Sequence, residues 1–161
     1  MMDCPAMKPH RATDPHDWPA LLALIQRAFA YMEGVIDPPS SLHRLTPESV
    51  AEQARTGEVW VMGHPALACV FLTPKADALY VGKLAVDPPA QGKGLGRALI
   101  DLAESRAQAL GLPVLELQTR IELTANHATF RQLGFSQTAA TAHPGYDRPT
   151  SLTFRRPVRG V

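Results

Sequence analysis

At 161 residues, with 16 basic against 15 acidic side chains and a formal charge of +1, the chain is sized for one domain and lacks a nucleic-acid-binding excess of charge. No apolar run approaches the roughly 20 residues that span a bilayer, and Met1-Met2-Asp3-Cys4-Pro5 has neither the basic start nor the apolar core of a signal sequence. Two cysteines far apart, Cys4 and Cys69, make neither a disulfide framework nor a zinc site. The expectation is a reduced, cytoplasmic protein without a metal, residues 1–161 forming one domain and residues 1–6 a loose leader.

His10-Arg11-Ala12-Thr13 reads as a short strand closed by Asp14-Pro15. Asp17 is placed to cap a helix that tolerates Pro19 in its first turn. Leu21, Leu24, Ile25 and Ala28 recur at i, i+3, i+4 and i+7 and carry that helix to about Tyr31. Glu33 to Leu45 is broken by Gly34, Asp37-Pro38-Pro39 and Ser40-Ser41, which predicts an irregular segment. A second helix starts with Thr46 as cap and Pro47 behind it, and ends near Arg55 before Gly57. Glu58–Met62 and Ala66–Leu72 read as strands joined by the hairpin signal Gly63-His64-Pro65. Cys69, inside the second of them, reads as a small core residue.

A further strand over Ala78–Val86 leads through Asp87-Pro88-Pro89 into a helix with Leu95, Ala98, Leu99 and Leu102 on its apolar face, stopped by Gly111 and Pro113. Val114–Thr119 is the next strand and Ala125 to Leu133 a short helix stopped by Gly134. Phe135–Thr141 and Thr150–Arg155 are the last strands, and Arg155, Arg156 and Arg159 read as a solvated tail. The order β-α-α-β-β-β-α-β-α-β-β predicts a mixed α/β sheet. Its runs of strands pair antiparallel, and the strand–helix–strand unit around residues 83–100 forms a parallel crossover.

Gly92, Gly94 and Gly96 lie where that strand turns into a helix, so backbone N–H groups and the positive end of the helix dipole can approach a bulky anion, with Lys93 and Arg97 beside it. A P-loop would need Ser or Thr where Gly94 stands. The dinucleotide fingerprint would need glycine at Arg97 or Leu99. What remains, Gln91-x-x-Gly94-x-Gly96 after Leu84-Ala85-Val86, resembles the coenzyme A pyrophosphate loop of the GNAT (Gcn5-related N-acetyltransferase) superfamily. Asn126-x-Ala128-x-Phe130-Arg131-Gln132-Leu133-Gly134-Phe135 resembles the second coenzyme A motif of that family.

The resemblance implies a GNAT-like, mostly antiparallel sheet of about seven strands flanked by four helices, with a splayed parallel pair holding the cofactor. It implies an N-acetyltransferase that moves an acetyl (acyl) group from acetyl-CoA to a primary amine of a small molecule or peptide. Attack is direct in a ternary complex, without nucleic acid, membrane or metal, and a homodimer is left open. The alternative is a non-catalytic coenzyme A-binding or acyl-CoA-sensing module.

Cofactor contacts fall on Leu84, Ala85, Val86, Gln91, Gly92, Lys93, Gly94, Leu95, Gly96, Arg97, Asn126, Phe130 and Arg131, with the N–H of Leu84 or Ala85 as oxyanion donor. The tyrosine that donates to the leaving sulfur in the family falls at Phe130, which has no hydroxyl. Tyr146 is the first choice as substitute acid, with Tyr31 and Tyr80 as alternatives. No single carboxylate is assigned as base, Glu116 facing either the cleft or the sheet. The acceptor falls to Tyr31, Met32, Ser40, Ser41 and Lys83, joined by His143, Tyr146 and Arg148 from the last loop. Arg148 or Lys83 suits an acceptor that bears a carboxylate.

Overall fold

Period-two alternation builds the centre of the molecule. In the computed structural model, which describes residues 7–160, the strand Ala68–Pro74 sends Ala68, Val70 and Leu72 to one face and Cys69 and Phe71 to the other, all buried. Such a strand must be covered on both sides. Residues 1–6 lie outside the described residues, and with them the expected leader and Cys4.

The strands are β1 (His10–Arg11), β2 (Glu58–Met62), β3 (Ala68–Pro74), β4 (Leu79–Val86), β5 (Val114–Arg120), β6 (Ser136–Thr141) and β7 (Ser151–Pro157). They form one sheet in the order β1-β2-β3-β4-β5-β7-β6, antiparallel throughout except for the parallel pair β4–β5. The helices are α1 (Trp18–Phe29), α2 (Pro47–Thr56), α3 (Leu95–Leu110) and α4 (Thr124–Gln132).

Helices α1 and α2 bury Leu21, Leu24, Ile25, Val50 and Ala54 against Val59, Val61, Cys69 and Phe71 on one face. Helix α3 buries Leu99, Ile100, Ala103 and Ala107 against Val70, Leu72, Leu79, Leu115 and Phe154 on the other, where Phe130 of α4 and Leu133 just after it also pack. Each fully buried aliphatic side chain contributes about 1.5–3 kcal/mol. The caps are those expected from the sequence. Asp17 accepts from the Ala20 N–H at 3.0 Å, and Thr46 and Ser49 form a reciprocal capping box.

Two expectations change. The C-terminal arginines are not a solvated tail. Arg155 donates to Glu116 at 2.7 Å, and Arg156 and Arg159 both donate to the buried Glu104 on α3 at 2.7 Å. A buried carboxylate must be paired to remain charged, and the pairing of β7 with β5 runs on to Pro157. The segment 30–45 is not wholly irregular either. Short 3-10 turns at Ala30–Met32 and Ser41–Arg44 give it shape.

Candidate active site

Strand β4 pairs with β5 only at Leu79–Leu115 and Tyr80–Glu116. Beyond these the two strands part, and the main chain of β4 that faces β5 is left without a sheet partner. A bulge enforces the divergence. The β3–β4 register slips between Cys69 and Phe71, and Lys83 takes a left-handed backbone with φ +46°. The Cys69 thiol holds the bulge from behind by donating to the Lys83 carbonyl at 3.6 Å. Burial pushes that thiol up to about 12, partly offset by the Ala85 N–H directed at the sulfur, so it is an inert packing group.

This geometry divides the expected strand contacts. Leu84 and Val86 line the gap. Ala85 does not, because its side chain is buried on the α1 face and its N–H points toward β3. Of the two N–H groups expected as oxyanion donor, that of Ala85 therefore points away from the gap.

At the end of β4, Gly92 (φ +80°) and Gly94 (φ +83°) have left-handed backbones, and Gly94 stands at the N-cap of α3. A Cβ added at Gly92, Gly94 or Gly96 would meet nothing within 4 Å. Packing against the protein therefore does not demand glycine here. At Gly96, whose backbone is not left-handed, neither does conformation. The open space lies at a helix N-terminus, as a pyrophosphate requires. Gln91 is a loop tie, its Nε2 donating to the Val86 carbonyl at 3.2 Å. Gln91, Gly92, Gly96, Arg97, Asn126 and Phe130 line the cleft. Lys93 and Gly94 are exposed at its rim. Leu95 instead packs into the α3 core, and Arg131 lies over the Phe154 ring at 5.5 Å, so neither meets the cleft.

The cleft is open and holds about 1380 Å³, more than the roughly 300–1,000 Å³ of a single small-ligand pocket. Tyr31, Met32, Ser40, Ser41 and Lys83 all line it, as does His143. Tyr146 and Arg148 do not. The Tyr146 hydroxyl donates to Asp37 at 2.6 Å and Arg148 pairs with the same carboxylate at 3.1 Å. Both dock the last loop onto the segment 33–45, and the hydrogen bond to Asp37 raises the Tyr146 pKa. Two tyrosines line the cleft: Tyr80, whose pKa is raised by burial and then by Glu116, and Tyr31, whose hydroxyl accepts from Asn126 Nδ2 at 3.0 Å and so keeps its own proton to donate.

Among the described residues, no Asp or Glu lines the cleft. Three nearby carboxylates are paired elsewhere, whereas Glu122 accepts from the Asp37 N–H at 3.1 Å and keeps a buried oxygen without a partner. Glu116 is held by Lys75 and Arg155, Asp77 by Arg155, and Asp87 by Arg27. Glu116 therefore faces its ion pairs rather than the cleft.

Sequence reading missed Arg120, the last residue of β5, which donates to the Pro38 and Pro39 carbonyls at 2.6 and 3.2 Å. It also missed Arg44, on the same wall. Nothing in their sequence neighbourhood distinguishes them from surface arginines. Burial, then the positive charge of Arg120, lowers the Lys83 pKa. The same two causes lower that of His143, against an opposing contribution from Glu122. The His143 ring is fixed by a contact between Nδ1 and the Thr150 hydroxyl.

The family model described as "Acetyltransferase (GNAT) family" matches residues 18–135. A mycothiol acetyltransferase from Jonesia denitrificans is 35% identical over 120 residues, 74% of this chain and 34% of that protein. The chain spans between about a quarter and a third of the length of the mycothiol acetyltransferases that it matches. An IAA acetyltransferase from Azospirillum brasilense is 28% identical over 141 residues, 86% of this chain and 91% of that one. In fold, the chain superposes with a TM-score of 0.67 on a GNAT family acetyltransferase from Elizabethkingia anophelis with acetyl-CoA bound. That structure is 15% identical, and the match covers 96% and 99% of the two chains. Among the described residues, no helix is long and apolar enough to cross a membrane, and no group of His, Cys, Asp or Glu is placed to hold a metal.

Proposed function

The chain belongs to the acetyltransferase (GNAT) family, and from this premise we propose that it is a single-domain, cytoplasmic N-acetyltransferase. It carries an acetyl group from acetyl-CoA to a primary amine of a small molecule or peptide, by direct attack in a ternary complex. The observation that carries this reading is the open space at Gly92, Gly94 and Gly96, at the mouth of a cleft that runs into the β4–β5 gap. The loop amides and Arg97 suit the pyrophosphate, and the unpaired main chain of Leu84 and Val86 suits an amide-bearing arm.

The Leu84 N–H is the oxyanion donor for the thioester carbonyl. A C–N bond forms as the C–S bond breaks. The leaving thiolate takes its proton from Tyr31, whose hydroxyl is oriented by Asn126 and replaces the one that Phe130 lacks. The ammonium proton goes to His143, kept neutral at pH 7 by burial and by Arg120. The inert Cys69 supports direct attack over an acyl-enzyme.

The test is thiol release from acetyl-CoA across a panel of amines, run from pH 5 to 9. Activity is expected to fall on the acid side below His143's ordinary value of 6.5, and His143→Gln removes that limb. Tight acetyl-CoA binding with no release for any amine would instead favour a non-catalytic acyl-CoA sensor, the reading that Phe130 supports.

A further inference from the structure

The acceptor half of the cleft is cationic. Lys83 projects from the β4 bulge, Arg120 ends β5, and Arg44 lies on the segment between α1 and α2. All three line the cleft, and none has a carboxylate partner among the described residues. Lys83 and Arg120 are close enough that the second charge lowers the pKa of the first, and Arg120 acts in the same way on His143. Charges of one sign held together in a half-buried space repel each other and are costly unless a counter-charge arrives.

Arg120 is not free to swing away, since two backbone carbonyls, those of Pro38 and Pro39, hold its guanidinium.

On the reading that this cleft is an acetyltransferase site, we infer that the acceptor is an amine that also bears a carboxylate, such as a free amino acid or a short peptide presenting its terminal carboxylate. Lys83 and Arg120 receive the carboxylate, and Arg44 adds charge at the rim. The arrangement serves the chemistry as well as recognition. An amine drawn in by its own carboxylate sits among fixed cations that disfavour its ammonium form, so the neutral nucleophile is more populated and the proton passes more readily to His143. An amine without an anion enters the same place against the full repulsion, with no compensating contact.

The experiment compares matched acceptors, each amino acid against its methyl ester and against the amine that lacks the carboxyl group. Thiol release is measured together with calorimetric binding of the same compounds to the coenzyme A-bound protein. The carboxylate form is expected to be preferred by about tenfold or more in kcat/KM and in Kd. Lys83→Met should erase most of that preference by raising KM, Lys83→Arg should restore it, and Arg44→Gln should weaken it less. Acetyl-CoA affinity should stay within about twofold, because these cations lie away from the glycine loop.

Equal or better use of the esters would overturn the inference. So would a Lys83→Met variant that loses acetyl-CoA and keeps its acceptor preference, since the cations would then belong to the cofactor. Should no compound release thiol, the transferase reading fails on that measurement, and calorimetry alone judges the carboxylate preference. No preference in Kd refutes it.

Discussion

The sequence offers both Tyr31 and Tyr146 as a substitute acid, and their neighbours in the fold separate them. Tyr146 gives its proton to Asp37 outside the cleft, whereas Tyr31 receives one from Asn126 inside it. An accepted hydrogen bond leaves the phenolic O–H directed elsewhere, and a general acid contributes roughly 10²–10⁴-fold. Tyr31→Phe is therefore expected to lower kcat by about 10²-fold or more while the KM for acetyl-CoA moves less than about threefold. Tyr146→Phe removes a loop contact and costs far less in kcat. Steady-state kinetics on the two variants decides between them, and equal losses would refute the assignment to Tyr31. Phe130 keeps its place in the packing, 6.1 Å from the Phe135 ring and 6.3 Å from the Phe154 ring, so its missing hydroxyl changes the chemistry and not the fold.

The glycine loop and α3 act as one element. Gly92 and Gly94 need their left-handed backbones, so a substitution at either mixes strain with any effect on a ligand. Gly96 separates the two. It lies in the first turn of α3 without a left-handed φ, and a Cβ there points into open space. Gly96→Glu should leave the melting temperature of the free protein unchanged or slightly raised. Replacing a helical glycine gains up to about 1 kcal/mol, and an acidic residue suits a helix N-terminus. The same substitution should weaken acetyl-CoA by about tenfold or more, through bulk and like-charge repulsion. Thermal unfolding and calorimetry read the two halves separately, and unchanged affinity would remove the loop as the anion site.

Across the molecule, buried carboxylates clamp the second half of the sheet to its helices and to β2. Glu104 of α3 binds Arg156 and Arg159, Glu116 of β5 binds Lys75 and Arg155, and Glu58 of β2 binds Arg106 of α3. In all three, burial by itself raises the pKa, and the hydrogen bonds and charges of the partners overcome it to leave a lowered value. A carboxylate with a depressed folded pKa contributes stability above its ordinary value of 4.5 and loses that contribution as pH falls through the folded value. The fold should thus hold its melting temperature from neutral pH to about 5 and lose it steeply below about 4. Glu104→Gln leaves two arginines facing a neutral group. It is expected to lower the melting temperature at pH 7 by roughly 5 °C or more and to flatten the acid decline. A parallel acid decline in the variant would show that Glu104 does not contribute to it.

The order of elements, both helix caps, the parallel crossover and the glycine loop were legible in the sequence because each rests on local physics. Apolar periodicity, the φ preferences of proline and glycine, and side-chain capping act within a few residues. The cofactor half of the site as proposed comes largely from one such contiguous stretch, Leu84 to Arg97, so a sequence pattern alone could suggest it. The acceptor half is not contiguous. As proposed, it draws Tyr31 from the 3-10 turn after α1, Arg44 from the segment before α2, Lys83 from a bulge pinned by Cys69, Arg120 from the end of β5 and His143 from the last loop. Only the folded chain decided that Tyr146 serves Asp37, that Ala85 turns away, and that the C-terminal arginines pair with buried carboxylates. Those roles depend on which long-range neighbour reaches a group first and on whether water is excluded around it, and neither condition is set by spacing along the chain.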